Sequence, residues 1–117
     1  MSREFDHVGL PTDDVQPNEM YVAETKVWVT DPATHPYKVE FLRYEEDSPV
    51  KGPVRELPHM AFRVDDLEQA MAGCEVLLGP FYATATMRVV FVLSDGAVFE
   101  FMASSEAGHW FTPGKGE

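Results

Sequence analysis

Cysteine is nearly absent: Cys74 is the only one in 117 residues. An internal disulfide is therefore excluded, and a reducing compartment is expected. Long apolar runs are missing as well. The longest, such as Val89 to Leu93, fall far short of the roughly 20 residues a membrane span needs. The opening residues Met1 to Asp6 hold no apolar segment of a secretory signal. Positive charge is scarce: 9 Lys and Arg against 20 Asp and Glu leave −11 at pH 7. That sign repels nucleic-acid phosphates. These shortages predict a cytoplasmic protein with no nucleic-acid and no membrane partner. The acidic residues are spread along the chain and read mostly as a solvated surface.

Hydrophobic residues make up 44% and charged residues 25%, a globular balance, and the length suits one domain over 1–117. An internal similarity organises it. Phe5-Asp6-His7-Val8-Gly9-Leu10 reads like Leu57-Pro58-His59-Met60-Ala61-Phe62, and Lys38-Val39-Glu40-Phe41-Leu42 like Val98-Phe99-Glu100-Phe101-Met102. Each repeat opens on a strand with a histidine and closes on one with a glutamate. The expected layout is module one at about 4–45, a linker at 46–56, module two at about 57–103, and a tail at 104–117. A third match sets Val27 to Pro32 beside Phe91 to Gly96. From His7 to Asp31 is 24 positions, and from His59 to Asp95 is 36. Module one thus lacks about a helix before that strand and gains four residues, Ala33 to Pro36, after it.

In module two the helix is readable. Asp65 or Asp66 can cap it, and Leu67, Ala70, Met71 and Cys74 form one apolar stripe. At the same place module one has Pro11 and Pro17 among polar residues, which predicts a loop. Strands are expected over 26–30, 37–44, 87–93 and 97–102, with weaker signals at 19–22 and 75–78. Ser94-Asp95-Gly96 signals a hairpin.

Side chains alternate along a strand. His7 is expected to share a face with Phe5 and Gly9, and His59 with Leu57 and Ala61. Glu40 lies between Val39 and Phe41, and Glu100 between Phe99 and Phe101. Those apolar neighbours should pack as core, leaving both glutamates on the other face. A carboxylate within an apolar strand is costly unless paired or metal-bound. Any one of these residues alone is weak evidence, since strand histidines and glutamates are mostly packed or solvated. The ordered set His7, Glu40, His59, Glu100 at matching repeat positions points to one divalent-metal site. Without cysteine in the set, a closed structural zinc site is disfavoured. His35 and His109 are read as non-ligands, Cys74 as buried and inert, and Trp28, Trp110 and Phe111 as packing residues.

At these residues the chain resembles the vicinal-oxygen-chelate superfamily of glyoxalase I, methylmalonyl-CoA epimerase, extradiol dioxygenases and bleomycin-resistance proteins. Phe5 to Leu10 looks like its opening strand, Pro58 to Leu67 like the start of its second module, and Asp95 to Met102 like its closing hairpin. The stretch from Val39 to His59 is most similar to the epimerase branch. The resemblance covers about 4–103. It implies an α+β fold of two βαβββ-type modules forming a cupped open β-barrel, here with the first module lacking its helix. It also implies His7, Glu40, His59 and Glu100 as ligands to one divalent ion (Ni, Zn, Co, Mn or Fe), with Glu100 exchanging protons with the substrate. A second catalytic carboxylate has no clear counterpart; Glu19 and Glu24 are candidates by sequence position.

Three functions follow, in this order. The first is a metal-dependent isomerase or lyase of the glyoxalase/epimerase type, working beside a carbonyl or thioester of a small substrate. The second is a metal-free module that sequesters small molecules. The third is an extradiol dioxygenase, which the fourth ligand argues against. Loss of the first-module helix should bare Val8, Leu10, Val39 and Phe41. That predicts a homodimer, or cover by Trp110 and Phe111.

Overall fold

A computed structural model describes residues 3–104. The tail with His109, Trp110 and Phe111 lies outside them. Eight strands form one sheet: β1 (Arg3–Pro11), β2 (Met20–Val22), β3 (Val27–Val29), β4 (Val39–Tyr44), β5 (His59–Val64), β6 (Glu75–Tyr82), β7 (Met87–Ser94) and β8 (Ala97–Ser104). Their order is β2-β3-β4-β1-β5-β8-β7-β6, so the two repeats meet back to back at the antiparallel β1–β5 pair. On either side a parallel partner follows, β4 beside β1 and β8 beside β5. The sheet curls into a cup.

Strand alternation sorts the side chains between the two faces. The concave face carries two apolar clusters, one with Met87, Val89, Phe91 and Met102, the other with Met20, Val22, Val27 and Leu42. The glutamates therefore do not face away from the packing layer, as the pattern around them had suggested. They sit on a concave face that is itself largely apolar. The convex face of the second module packs under helix α1 (Leu67–Met71), where Leu67 and Ala70 meet Val90, Val92 and Phe101. Asp66 caps this helix by accepting a hydrogen bond from Gln69 N. The helix stops earlier than its apolar stripe, because Gly73 turns the chain at φ 78°. Cys74 thus lies beyond the helix and is half-buried rather than fully buried. At the β7–β8 hairpin Asp95 (φ 53°) and Gly96 (φ 78°) both take left-handed conformations, as a two-residue turn with the right twist requires.

Between β1 and β2 the described chain runs without a helix, as the two prolines dictate. The convex face there is nonetheless not bare. Val8, Leu10, Val39 and Phe41 are all half-buried. The four-residue gain accounts for part of this. Its first two residues belong to a 3-10 turn, Pro32–Thr34, whose buried Pro32 and following His35 lie by β4, with the His35 ring 6.1 Å from that of Phe41. Further along, Arg43 donates to Glu19 at 2.9 and 2.6 Å and lies over the Trp28 ring, 5.6 Å from its centroid. Phe5, Phe62 and Phe99 form an aromatic row across β1, β5 and β8, and Phe5 keeps 48% of its surface exposed. The segment joining the repeats holds one further short helix, Pro53–Glu56, whose Val54 joins the concave core with Val50.

The Arg43 guanidinium holds Glu19 below its ordinary value of 4.5. A carboxylate stabilised in the folded state contributes above its unfolded pKa, and the contribution is lost as pH falls through the lowered folded value. Glu19→Gln is expected to cost about 1 kcal/mol at neutral pH. In urea titrations the gap from wild type should close as the medium is acidified below the ordinary glutamate range. A gap that stays constant would show that the charge of Glu19 is not its source.

Candidate metal centre

The site is built from two adjacent rows of the sheet ladder. In one row His7 of β1 pairs with Ala61 of β5, and Ala61 pairs with Glu100 of β8. In the next, Glu40 of β4 pairs with Gly9 of β1, and Gly9 with His59 of β5. Each row thus has an imidazole and a carboxylate separated by one small residue, all on the concave face. The small residues are what let the rings lie across the sheet. A Cβ at Gly9 would overlap the His59 ring. The two imidazoles meet edge to face, with centroids 5.6 Å apart.

His7 and His59 are each 1% exposed, and Glu40 and Glu100 are buried beside them. His7 Nε2 lies 3.2 Å from Glu40 Oε1 and 3.4 Å from Glu100 Oε1, while His59 Nε2 lies 3.1 Å from Glu100 Oε1. Burial disfavours charge on His7 and Glu100, but the attraction of neighbouring groups outweighs it. His7 is driven up to about 12 against desolvation by the charge of Glu40 and hydrogen bonding to Asp6, Glu100 and Glu40. Glu100 is held at about 2 against desolvation by its attraction to His59 and His7. Behind His7 stands a second carboxylate. Its Nδ1–H donates to Asp6 Oδ2 at 2.7 Å, and Asp6 Oδ1 accepts from Arg63 Nε at 3.0 Å. Burial would raise Asp6, yet His7 and Arg63 bring it down to about 2.

Asp6 reaches His7 because of a bulge. The β1–β5 register slips between Phe5 and His7, leaving Asp6 as the extra residue. The slip also turns Phe5 to the convex face against Phe62, so Phe5 does not share the face of His7 as regular alternation predicts.

This donor set fits a divalent cation. Ligand atoms of His7, Glu40 and His59 all lie within 4.8 Å of one another, so this buried triad is placed to bind a metal. Glu100 lies outside this triad but adjoins both imidazoles, at 3.4 Å from His7 Nε2 and 3.1 Å from His59 Nε2. Among the described residues His59 Nδ1, although buried, makes no hydrogen bond, while Nε2 faces Glu100 Oε1 at 3.1 Å. A buried polar atom without a partner is costly and expects one. Asp6 orients the His7 ring so that Nε2 faces the centre, as outer partners of ligating histidines do.

The centre opens onto a cavity between the two halves of the cup. Met20, Val22 and Val27 line one side, and Leu78, Phe81 and Ala83 the other. The cavity volume is about 60 Å³. His7, Glu40, Glu100 and Tyr44 reach its surface. Burial and the charges of Glu40 and Glu100 push the Tyr44 hydroxyl above its ordinary value, so it stays protonated.

The other candidates lie elsewhere. His35 is in its turn, where Nδ1 accepts from Tyr37 N. Glu19 is held by Arg43, Glu24 is exposed, and neither lines the cavity. Trp28 packs against Tyr21 on the convex face. Sequence reading missed Asp6, because regular alternation aims it away from the site, and Tyr44, which carries no motif. Gly9 and Ala61 left a signal, a small residue two places after each histidine. Gly9→Ala is expected to push His59 aside and weaken zinc binding, measured by competition with a chromophoric chelator, by at least about tenfold, a cost of 1.4 kcal/mol. Circular dichroism should keep its strand signature. Unchanged zinc affinity would show that the close approach of Gly9 to His59 is not needed.

No family model and no curated protein matches the chain. Solved structures do. A hypothetical protein from Bacillus halodurans C-125 superimposes with a TM-score of 0.66 at 17% identity, covering 93% of this chain and 99% of that one. Methylmalonyl-CoA epimerase from Mycobacterium tuberculosis superimposes with a TM-score of 0.61, also at 17% identity, covering 88% of this chain and 89% of the other. The architecture is accordingly the α+β cupped open barrel of the vicinal-oxygen-chelate fold, with two βαβββ-type modules of which the first lacks its helix.

Proposed function

We propose that the protein is a divalent-metal-dependent isomerase or lyase of the glyoxalase/epimerase type, moving a proton beside the carbonyl or thioester of a small substrate. One observation carries this reading: two imidazoles and two carboxylates converge, buried, and His7, Glu40 and Glu100 of this set reach the wall of an apolar cavity. The fold shared with an epimerase supports it. His7, Glu40, His59 and Glu100 would hold the ion, and the set suits Ni, Zn, Co, Mn or Fe. When bound, such an ion polarises a substrate carbonyl and acidifies the neighbouring C–H. Glu100 lines the cavity and is ionised, so it can take that proton on a carboxylate oxygen and return it. Apolar walls such as Val22, Val27, Leu78 and Phe81 would shield the reacting carbon from water. Tyr44, protonated at the same wall, can donate a hydrogen bond to a substrate oxygen.

The convex face of module one, with half-exposed Phe5 beside Phe62, is proposed to pair with a second copy of the chain. Phe5→Glu should then shift a dimer to monomer in sedimentation equilibrium. A wild-type monomer at all concentrations would remove the idea.

Proton transfer is tested by deuterium exchange. Small α-hydroxy ketones, aldehydes and simple thioesters, incubated with cobalt- or nickel-loaded protein in heavy water, should exchange the hydrogen beside the carbonyl. Glu100→Gln should slow exchange by about 10²- to 10⁴-fold at equal metal content. Exchange that proceeds unaltered in Glu100→Gln would take the proton-transfer role from this residue. No exchange with any compound, despite bound metal, would count against the isomerase reading.

A further inference from the structure

The cavity wall says what kind of molecule it accepts. Among the described residues, no lining side chain is a lysine or arginine. The ionisable groups at the wall are His7, Glu40, Glu100 and Tyr44. Two carboxylates balance a divalent ion, so a loaded centre has no positive charge left for an anionic part of the substrate. The neighbouring cleft, which shares Leu42 and Tyr44 with the cavity, does not supply it either. Its one cation, Arg55, is accompanied by Asp13 and Glu56. Arg55 is also engaged, donating to the Glu45 and Val50 carbonyls at 3.2 and 3.4 Å and lying over the Tyr44 ring. The chain as a whole carries −11, which steers anions away.

Burying a carboxylate or phosphate without a paired cation is expensive. Resting on the isomerase or lyase reading above, we infer that the substrate is a small, uncharged, apolar carbonyl compound without carboxylate or phosphate. This separates the chain from the similar epimerase, whose named substrate carries a free carboxylate and a phosphorylated coenzyme. The walls fit an alkyl group: Val22, Val27, Leu78 and Phe81 offer only hydrocarbon.

Two hydroxamates of one shape test the inference on the cobalt-loaded protein. 4-Methylpentanohydroxamic acid ends in an isopropyl group, and succinic monohydroxamic acid ends in a carboxylate. Both carry the same metal-binding head, and binding is read from the visible absorption of cobalt. The isopropyl compound should bind at least about tenfold more tightly. An Ala83→Lys variant, which sets an ammonium in the wall, should narrow that gap. Equal or tighter binding of the carboxylate by wild type would overturn the inference and leave the metal centre standing. So would an unchanged gap in Ala83→Lys, or cobalt uptake with no response to either compound. A protein that takes up no cobalt would overturn the function proposed above, and the inference with it.

Discussion

Two carboxylates buried on an apolar sheet face are the constraint on which the rest of this structure turns. Glu40 and Glu100 have lost most contact with water and stand over Val, Met and Phe side chains. Such charge persists only where positive charge meets it. Both imidazoles approach the carboxylates at 3.1 to 3.4 Å, and the upward drive on His7 expresses the same demand. A proton on His7 meets it in part. A divalent ion among all four groups would meet it fully.

The local architecture serves that arrangement. Parallel pairing of β1 with β4 and of β5 with β8, joined by the antiparallel β1–β5 pair, brings each glutamate level with the other repeat's histidine. Gly9 and Ala61 leave the space the rings occupy. The bulge at Asp6 spends one residue to put a carboxylate behind His7 and Arg63 behind that carboxylate. Farther out, the missing helix is answered by modest substitutes. A proline-led turn and an Arg43–Glu19 pair lie on the face that packs under α1 in the other module.

Much of this was legible in the residues. The four-residue pattern His7, Glu40, His59, Glu100 is a consequence of repeat symmetry, and symmetry survives in sequence where a fold is duplicated. The missing helix was legible for the same reason, as a difference in spacing between equivalent landmarks. Features that break regularity were not. Asp6 is invisible to a period-two reading because the bulge suspends that period, and the same slip sends Phe5 to the wrong side of the forecast. The apolar character of the glutamate face also escaped notice. It comes from β2, β3, β6 and β7, distant in sequence, which curl over the site only in three dimensions. Tyr44 enters the cavity by the same curvature.

If the four buried groups hold a metal ion, its stoichiometry is the decisive quantity. Inductively coupled plasma mass spectrometry would compare the protein, as purified and after incubation with divalent ions, with a His7→Ala/His59→Ala variant. The account predicts about one ion per chain in the first and essentially none in the second. A protein that takes up no ion under either condition, or a variant that keeps its ion, would contradict it.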